Sequence, residues 1–402
     1  MSGRDRGVCI VVQNLPVPFD RRVWLECRAL VDAGYEVSVV CPRGKGDPAH
    51  HVIDGVHLFK YRAFPPVTRQ VMFLAEYAYS ILFTLVNLVR AYRRAPFAVV
   101  QVCNPPDVLF AAVLPFRLLG VRMVYDQHDL CPELYDSRFD DPAALPRRAL
   151  VLAERLTYAM AAHVISTNES YRRVALARGR KRPAAVTVVR TGPDPERMRA
   201  VEPDPSLRRG YRHLLVYLGV MGPQDGVDLA IRAMDHIVKV RGRTDVGLTL
   251  IGDGDAGPAL RALTAELGLG DCVHFTGRAP DDLVSRLLST ADVGLSPDPK
   301  NPLNDVSTMN KTMEYMAFEL PVVAFDLVET KVSAADAAVY AEPNDVGRYA
   351  DLALELLDDD VRRKEMGVRG RRRISDVLAW RHQAPAYVSV YDRLLGRRGD
   401  GI

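Results

Sequence analysis

The amino-acid sequence predicts an α/β protein of two domains, each built around a parallel sheet. A chain of 402 residues exceeds what one hydrophobic core usually holds. Short β-branched runs alternate with helical patterns, and this alternation restarts after residues 192–210, where prolines and charges cluster. We therefore expect domains at 1–195 and 196–383.

Strands in the first half are recognised by runs of valine, isoleucine and tyrosine, and helices by apolar residues at helical spacing. The first helix starts after Asp20, a favourable N-cap, and ends at Gly34. The predicted strands of this half are 8–12, 36–41, 56–61, 98–102, 121–126, 163–166 and 186–189, and the predicted helices are 22–33, 71–89, 106–119 and 145–161.

The same criteria divide the second half, in which glycines follow several of the apolar runs. The predicted strands are 214–218, 246–252, 273–276, 291–295 and 321–325, and the predicted helices are 225–240, 256–267, 280–290, 309–317, 345–357, 360–374 and 380–395.

Composition excludes some classes of function. The formal net charge of +3 is too small to indicate a nucleic-acid partner. The six cysteines form no Cys-x-x-Cys pair and have no zinc-site spacing, so we expect free thiols in a reducing compartment and no metal. The N-terminus resembles a first strand rather than a signal peptide. These features predict a cytoplasmic protein, with the inner face of the cell membrane as an alternative location.

One segment, 71–89, is apolar over nearly the length that spans a bilayer. Arg69 precedes it, and Arg90, Arg93 and Arg94 follow it. Because Glu76 and Asn87 lie within it, spanning is the least favoured reading. A helix buried in its domain and a helix lying on the membrane surface are left as equal alternatives.

The segment 307–317 carries the clearest chemical signal of the second half. A polar loop leads into a helix on which Lys311 and Glu314 share one face. A lysine there can neutralise a diphosphate, and a carboxylate one turn on can accept ribose hydroxyls. A surface ion pair is the alternative. Gly219 and Gly222 follow a strand, where they either let backbone approach a phosphate or form a plain turn.

Two segments of the first half carry polar residues after a strand, one at the end of strand 121–126 and one at the opening of the first helix. His128 lies between Asp126 and Asp129, where it is either a ligand for a sugar hydroxyl or an ordinary loop histidine. Arg21 and Arg22 oppose the dipole of the first helix, so either an anion or Glu26, one turn on, must compensate them.

Further candidates are less specific. Arg190 ends the last strand of this half and either binds a phosphate or is structural. The sequence Asp253-Gly254-Asp255 resembles a metal-binding motif but is interpreted as a turn.

Together these segments resemble the family 4 retaining glycosyltransferases of the GT-B fold, in particular the branch that assembles bacterial polysaccharide and O-antigen. The segments that carry the resemblance are 19–26, 126–129, 189–194, 219–227 and 310–317. The resemblance implies two Rossmann-like domains facing across a cleft, with the acceptor bound by the first and the nucleotide sugar by the second. It also implies that the last stretch, 384–402, packs back on the first domain. The mechanism it implies is front-face displacement with retention, with no cofactor beyond the donor itself.

The resemblance assigns roles to residues. Candidate catalytic residues are His128, Lys311 and Glu314; candidate donor-binding residues are Gly219, Gly222, Arg190, Asn304, Asp305, Asn310 and Gly252; candidate acceptor-side residues are Arg21, Arg22 and Asp129.

Two positions depart from the family pattern. Its first glutamate falls on Val306, which leaves Asn304 or Asp305 as substitutes, and its usual Arg and Lys after the glycines are replaced by Pro223-Gln224-Asp225. The alternatives to a transferase are a nucleotide-sugar epimerase of the same fold and a catalytically inactive scaffold.

Overall fold

The structure is a computed structural model, and it describes residues 3–65, 70–138, 143–194 and 198–396. The chain forms two compact units. Unit 1 comprises Met1–Arg190 with His382–Ile402, and unit 2 comprises Thr191–Arg381. The sequence placed these boundaries at 195/196 and 383/384. Arg69, the 195/196 junction and residues 397–402 of the expected C-terminal helix lie outside the described residues.

Unit 1 contains an eight-stranded sheet in the order β3-β4-β2-β1-β5-β6-β7-β8. All neighbouring strands are parallel except β3 and β4, which form an antiparallel pair at one edge. Its strands are β1 (Gly7–Val11), β2 (Glu36–Pro42), β3 (His50–Ile53), β4 (Val56–Tyr61), β5 (Val99–Cys103), β6 (Arg122–Gln127), β7 (His163–Ser166) and β8 (Val186–Val188), and its helices are α1 (Arg21–Asp32), α2 (Gln70–Arg94), α3 (Phe110–Arg117), α4 (Cys131–Arg138), α5 (Ala144–Met160) and α6 (Glu169–Ala177).

The central strands of this sheet are buried throughout, because helices cover both faces of a parallel sheet. Val100 and Val102 of β5 face a core that includes Leu88 and Ala91 of α2. Gln101, between those valines, faces the opposite side of the sheet, as the two-residue period of a strand requires.

Helix α2 is the apolar segment noted in the sequence, and its second half packs on the sheet rather than standing apart from it. Leu88 and Ala91 are fully buried, whereas Leu82 and Val86 are exposed. No helix within the described residues has the length and apolarity needed to cross a bilayer. The buried alternative therefore describes the sheet-facing side of the second half of this helix.

Unit 2 contains a six-stranded, wholly parallel sheet in the order β11-β10-β9-β12-β13-β14. Its strands are β9 (His213–Leu218), β10 (Val246–Ile251), β11 (Val273–Gly277), β12 (Val293–Ser296), β13 (Val322–Phe325) and β14 (Ala338–Ala341), and its helices are α7 (Val227–Asp235), α8 (Gly257–Glu266), α9 (Asp281–Thr290), α10 (Asn310–Ala317), α11 (Val328–Ala334), α12 (Val346–Asp358) and α13 (Asp360–Arg373).

The last helix, α14 (Trp380–Leu395), begins at the end of unit 2, and its residues from His382 onward belong to unit 1. Tyr387 and Tyr391 are fully buried there. The Tyr35 hydroxyl donates to Asp392 at 2.5 Å, which ties this helix to the end of α1.

The sequence missed several short elements, namely β3, α4, α6, α11 and β14. All five have nine residues or fewer, and at that length periodicity does not separate an element from a loop. Helix α3 starts at Phe110, four residues after the predicted start at Pro106.

Candidate functional site in each unit

Parallel sheets bind ligands at the carboxyl ends of their strands. In unit 1, His128 directly follows β6, and α1 begins soon after β1, the strand next to β5. Asp20 caps α1 by accepting from the backbone N–H of Val23 at 3.1 Å. This cap fixes the first turn of the helix, and with it the direction of Arg22.

Arg22 is buried, and its guanidinium is bonded from several sides. It donates to Asp126 Oδ1 at 2.9 Å and to the carbonyl oxygen of Val189 at 3.1 Å. Its Nε lies 3.0 Å from Glu26 Oε1, one helical turn on. The pairing of Arg22 with Glu26, one of the two readings of the sequence, is therefore present. Asp126 adds a second carboxylate that helix spacing alone does not reveal.

His128 contacts the same group of side chains, and we call Arg22, Glu26, Asp126 and His128 the unit 1 cluster. Its Nε2 lies 2.6 Å from Asp126 Oδ2 and 3.1 Å from Arg22 Nε. Because the Arg22 Nε–H only donates, Nε2 cannot serve both partners in one tautomer, and the shorter distance favours donation to Asp126. The backbone is fixed as well, since Asn104 Oδ1 accepts from the N–H groups of His128 and Asp129 at 2.7 and 3.2 Å.

The pKa values of the two carboxylates in the cluster, Asp126 and Glu26, are shifted in opposite directions. Burial alone would raise the pKa of Asp126, but Arg22 and His128 lower it below its ordinary value. Burial raises the pKa of Glu26 well above its ordinary value, and the Asp126 charge raises it further, against the effect of Arg22. The cluster therefore holds one ionised carboxylate and one that favours its proton.

Gln101 supports the cluster from β5, and the sequence analysis missed it. Its Nε2 donates to Glu26 Oε2 at 2.7 Å and to Asp126 Oδ2 at 3.1 Å. Its Oε1 accepts from the hydroxyls of Tyr387, at 2.7 Å, and Tyr391, both on α14. The signal was a glutamine within the apolar run Val-Val-Gln-Val-Cys, because a buried amide must have partners.

Cys103, Asp126 and His128 offer ligand atoms that lie within 4.8 Å of one another. The guanidinium of Arg22 already places a cation against Asp126. Burial also raises the pKa of the Cys103 thiol well above its ordinary value, so the thiol stays protonated. The chemistry of this set fits an arginine as its cation better than a metal ion.

The other candidates of unit 1 lie around this cluster. Arg21 is exposed, whereas Asp129 is half-buried and burial raises its pKa. The backbone N–H of Arg190 donates to Gln383 Oε1 at 3.2 Å. Arg190 also follows Val189, whose carbonyl binds Arg22. The structure thus connects Arg22, His128, Asp129 and the Arg190 backbone, and leaves Arg21 on the surface.

In unit 2, Lys311 is buried, with 8% of its surface exposed. Its Nζ donates to Asp298 Oδ1 at 2.5 Å, and Asp298 Oδ2 accepts from Ser296 Oγ at 2.7 Å. Burial alone would lower the pKa of Lys311, but the charges of Asp298 and Asp225 raise it above its ordinary value. The reading of Lys311 as part of a surface ion pair is wrong. Asp298, which follows β12, was missed because it lies far from Lys311 in sequence.

The glycine turns after β9 and β10 lie close to this lysine. A Cβ on Gly219 would come 3.4 Å from Lys311 Cε, and Gly219 has a φ of +156°. A Cβ on Gly252, with a φ of +136°, would come 1.8 Å from the carbonyl oxygen of Gly219. Both positions therefore require glycine. The N–H of Gly222 donates to Asp225 Oδ2 at 2.8 Å, so this turn already has an internal acceptor.

The remaining donor-side candidates divide into two groups. Asn304 is buried, and its Nδ2 donates to the carbonyl oxygens of Gln224 and Pro299, both at 2.9 Å. Asp305 accepts from the N–H of Val328 at 3.0 Å. Both side chains thus join loops of unit 2, which does not support their expected role as sugar ligands in place of the glutamate missing at Val306. Asn310 is exposed at the start of α10, and Glu314 is half-buried one turn later.

A pair of units of this kind, each a parallel sheet covered by helices, defines the GT-B class of folds. The chain is similar to sucrose-phosphate synthase from Thermosynechococcus elongatus, with a TM-score of 0.80, 17% identity, and coverage of 98% of this chain and 100% of that one. At this identity the likeness concerns the fold.

Two family models identify the family. Residues 20–214 match the glycosyl transferase 4-like domain, and residues 212–359 match the glycosyl transferases group 1. The chain belongs to the family 4 type of glycosyltransferases.

Curated relatives agree with this family. The chain is 26% identical to a 2-deoxystreptamine glucosyltransferase of Streptomyces kanamyceticus over 78% of its own length and 82% of that protein. It is 28% identical to an MMP alpha-(1->4)-mannosyltransferase of Mycolicibacterium hassiacum, where the match spans 42% of each chain. The latter match thus covers less than half of that mannosyltransferase.

Proposed function

We propose that this chain is a retaining transferase that moves a sugar from a nucleotide-diphosphate sugar to a saccharide, lipid-linked or small-molecule acceptor. The observation that carries the proposal is the buried Lys311 beside the Gly219 turn, at the carboxyl end of β9. A cation and a close-approach glycine at that edge of a parallel sheet suit a diphosphate.

Lys311 keeps binding capacity despite its partner. An ammonium group has three donors, and Asp298 accepts one of them. Because the Lys311–Asp298 pair is nearly neutral, the rest of the diphosphate charge must be met by backbone N–H groups. The N-termini of α7 and α10 are candidates, since each presents the positive end of a helix dipole. In this proposal Glu314 accepts the ribose hydroxyls.

The proposed reaction is a front-face displacement. The bond between the anomeric carbon and the diphosphate oxygen breaks, the acceptor oxygen bonds to that carbon on the same face, and the acceptor proton passes to the departing diphosphate. His128 is assigned to orienting the donor sugar and stabilising positive charge at the anomeric carbon. Its contacts with Asp126 and the Asn104-bound backbone support a fixed orientation.

The acceptor is assigned to unit 1, with Arg21, Arg22 and Asp129 as the acceptor-side residues. The resemblance to enzymes of polysaccharide assembly makes a lipid-linked saccharide one acceptor class. A peripheral position at the inner face of the cell membrane is part of this proposal.

Calorimetry on the full chain with uridine, guanosine and adenosine diphosphates, followed by incubation with the matching sugar nucleotides, tests the proposal. We expect at least one nucleoside diphosphate to bind and the nucleoside alone to bind far more weakly. We also expect the donor sugar to move to an acceptor with its anomeric configuration kept. The absence of any nucleotide binding would indicate an inactive scaffold. Conversion of the donor without an acceptor would indicate an epimerase.

A further inference from the structure

The exposed apolar side chains are distributed unequally between the two units. Among the described residues, every exposed leucine and phenylalanine belongs to unit 1, whereas the large hydrophobic residues exposed on unit 2 are all valines. Most of these leucines lie on or just after three helices, α2, α3 and α5, of which α3 packs against both others. They are Leu82, Leu114, Leu118, Leu119, Leu145, Leu152 and Leu156.

Helix α5 shows this pattern most clearly. Leu145, Leu152 and Leu156 are 78%, 59% and 44% exposed. Their spacings of seven and four residues place them on one face of the helix. The opposite face carries Glu154 and Tyr158, which are fully buried. Helix α5 therefore has a second apolar face, directed away from the core of its unit.

The same three helices are strongly basic. They contain two carboxylates, Glu76 and Glu154. Glu76 is half-buried and accepts from Gln13 Nε2 at 3.0 Å, and Glu154 is buried. Their arginines are all exposed: Arg90, Arg93, Arg94, Arg117, Arg147, Arg148 and Arg155. Only for Arg147 does the described part of the chain supply an ion-pair partner, Asp136 at 2.7 Å.

We propose that these seven leucines and seven arginines form a leucine–arginine surface that docks on an anionic lipid bilayer. Exposed leucines suit insertion at the boundary between headgroups and acyl chains, and arginines beside them suit anionic headgroups. A second copy of the chain fits poorly, because a two-fold contact would bring the arginines against each other without opposing carboxylates. The docking rests on the peripheral membrane position included in the proposed function and gives it a surface; it uses no part of the transfer reaction, so a test of lipid binding and a test of sugar transfer can fail separately.

This surface differs from the one that the sequence suggested. Of the described side chains in the apolar segment 71–89, Leu82 belongs to this surface, whereas Thr84, Asn87 and Leu88 are buried. The most exposed leucine is Leu118, at 92%, and it follows α3. The sequence alone did not single out Leu118 or the exposed leucines of α5, because leucines at helical spacing usually face the core of a domain.

Vesicle flotation with the full chain tests the docking. One set of vesicles is phosphatidylcholine alone, and the other is equal parts phosphatidylcholine and phosphatidylglycerol. We expect binding to the mixed vesicles that weakens as salt is added. We expect Arg148→Gln and Arg155→Gln each to weaken it about five-fold. Leu118→Ser with Leu152→Ser is expected to weaken it about ten-fold or more.

Val361→Ser with Val368→Ser, on exposed positions of unit 2, is the matched control and should bind like the unaltered chain. Because all substituted side chains are exposed, the variants should unfold at the temperature of the parent, which separates lost docking from lost folding. Equal binding to both vesicle types would overturn the role of the arginines. A self-associating chain that is made monomeric by the leucine variant, and that ignores vesicles, would overturn the proposal in favour of a dimer interface.

Discussion

Each unit buries a cation against a carboxylate near the carboxyl ends of its strands, but the two are held differently. Arg22 of unit 1 contacts Asp126, Glu26 and the Val189 carbonyl. In unit 2, the ammonium group of Lys311 has Asp298 as its ion-pair partner. A guanidinium bound on several sides is fixed in place, whereas a lysine with one carboxylate keeps donors available for a ligand. The difference indicates that Arg22 organises its unit and that Lys311 is the better candidate for binding an anion.

The largest expected effect comes from breaking the Lys311–Asp298 pair, in which the cation has a single ion-pair partner. Asp298→Ala leaves the Lys311 ammonium buried without its carboxylate, which should lower the free energy of unfolding by about 3–5 kcal/mol. The double variant Asp298→Leu with Lys311→Met should recover most of that loss and still fail to bind the nucleoside diphosphate. Urea unfolding and calorimetry measure the two effects.

The exposed pair Lys331–Asp326, with 50% and 37% of its side chains accessible, supplies the control. Removing it should change stability by less than about 1 kcal/mol. A double variant that is stable and still binds the nucleotide with parental affinity would show that Lys311 has a structural role alone.

A third ion pair, between the buried Glu154 and the half-buried Arg178, extends the comparison to pH. Burial raises the pKa of Glu154 to about 7, although Arg178 opposes the rise. A folded-state pKa above the ordinary 4.5 means that the proton on Glu154 stabilises the fold. That stability is complete below about 4.5 and is lost as the pH rises through about 7. The loss amounts to about 3 kcal/mol.

Between about pH 4.5 and pH 7, we therefore expect the free energy of unfolding of Glu154→Gln to change less with pH than that of the parent. The profile is measured by urea unfolding at a series of pH values. Glu365→Gln, at an exposed position, is the control and should follow the parent curve. Parallel curves for parent and Glu154→Gln would contradict the assignment.

A smaller effect is expected where α14 supports the unit 1 cluster. Tyr391→Phe removes one of the two hydroxyls that hold Gln101 Oε1, and with it part of the restraint on Asp126 and His128. We expect a stability loss of about 1 kcal/mol and a several-fold lower kcat.

Tyr349→Phe is a matched control in unit 2, because it loses a buried bond to the Val323 carbonyl at 2.9 Å. It should cost similar stability and leave kcat unchanged. Equal kcat for the two variants would show that the α14 tyrosines contribute to stability alone. Restored turnover in Tyr391→Phe at lower temperature would support the same conclusion.

Much of this arrangement could be predicted from the sequence, and the rest shows where local pattern fails. The longer strands and helices followed from β-branched runs and helical spacing, since those signals are local. His128 was singled out because it follows a strand, and Lys311 because a polar loop leads into its helix. Two supporting residues were missed: Asp298, the partner of Lys311, follows a different element of the chain, and Gln101, which donates to the Asp126 carboxylate beside His128, lies within an apolar strand. Helix spacing predicted Glu314 as the ion-pair partner of Lys311, whereas in the folded unit Asp298 pairs with this lysine.

The smallest expected effect concerns the two neighbouring arginines at the start of α1. Arg21 is exposed and Arg22 is buried, so the same residue type has opposite surroundings one position apart. Arg21→Gln should change the free energy of unfolding by no more than about 0.5 kcal/mol. If Arg21 contacts the acceptor, it should raise the acceptor KM while leaving kcat and nucleotide binding unchanged. Arg28→Gln, at an exposed position of the same helix, should leave all three unchanged. An unaltered KM in Arg21→Gln would remove Arg21 from the acceptor side.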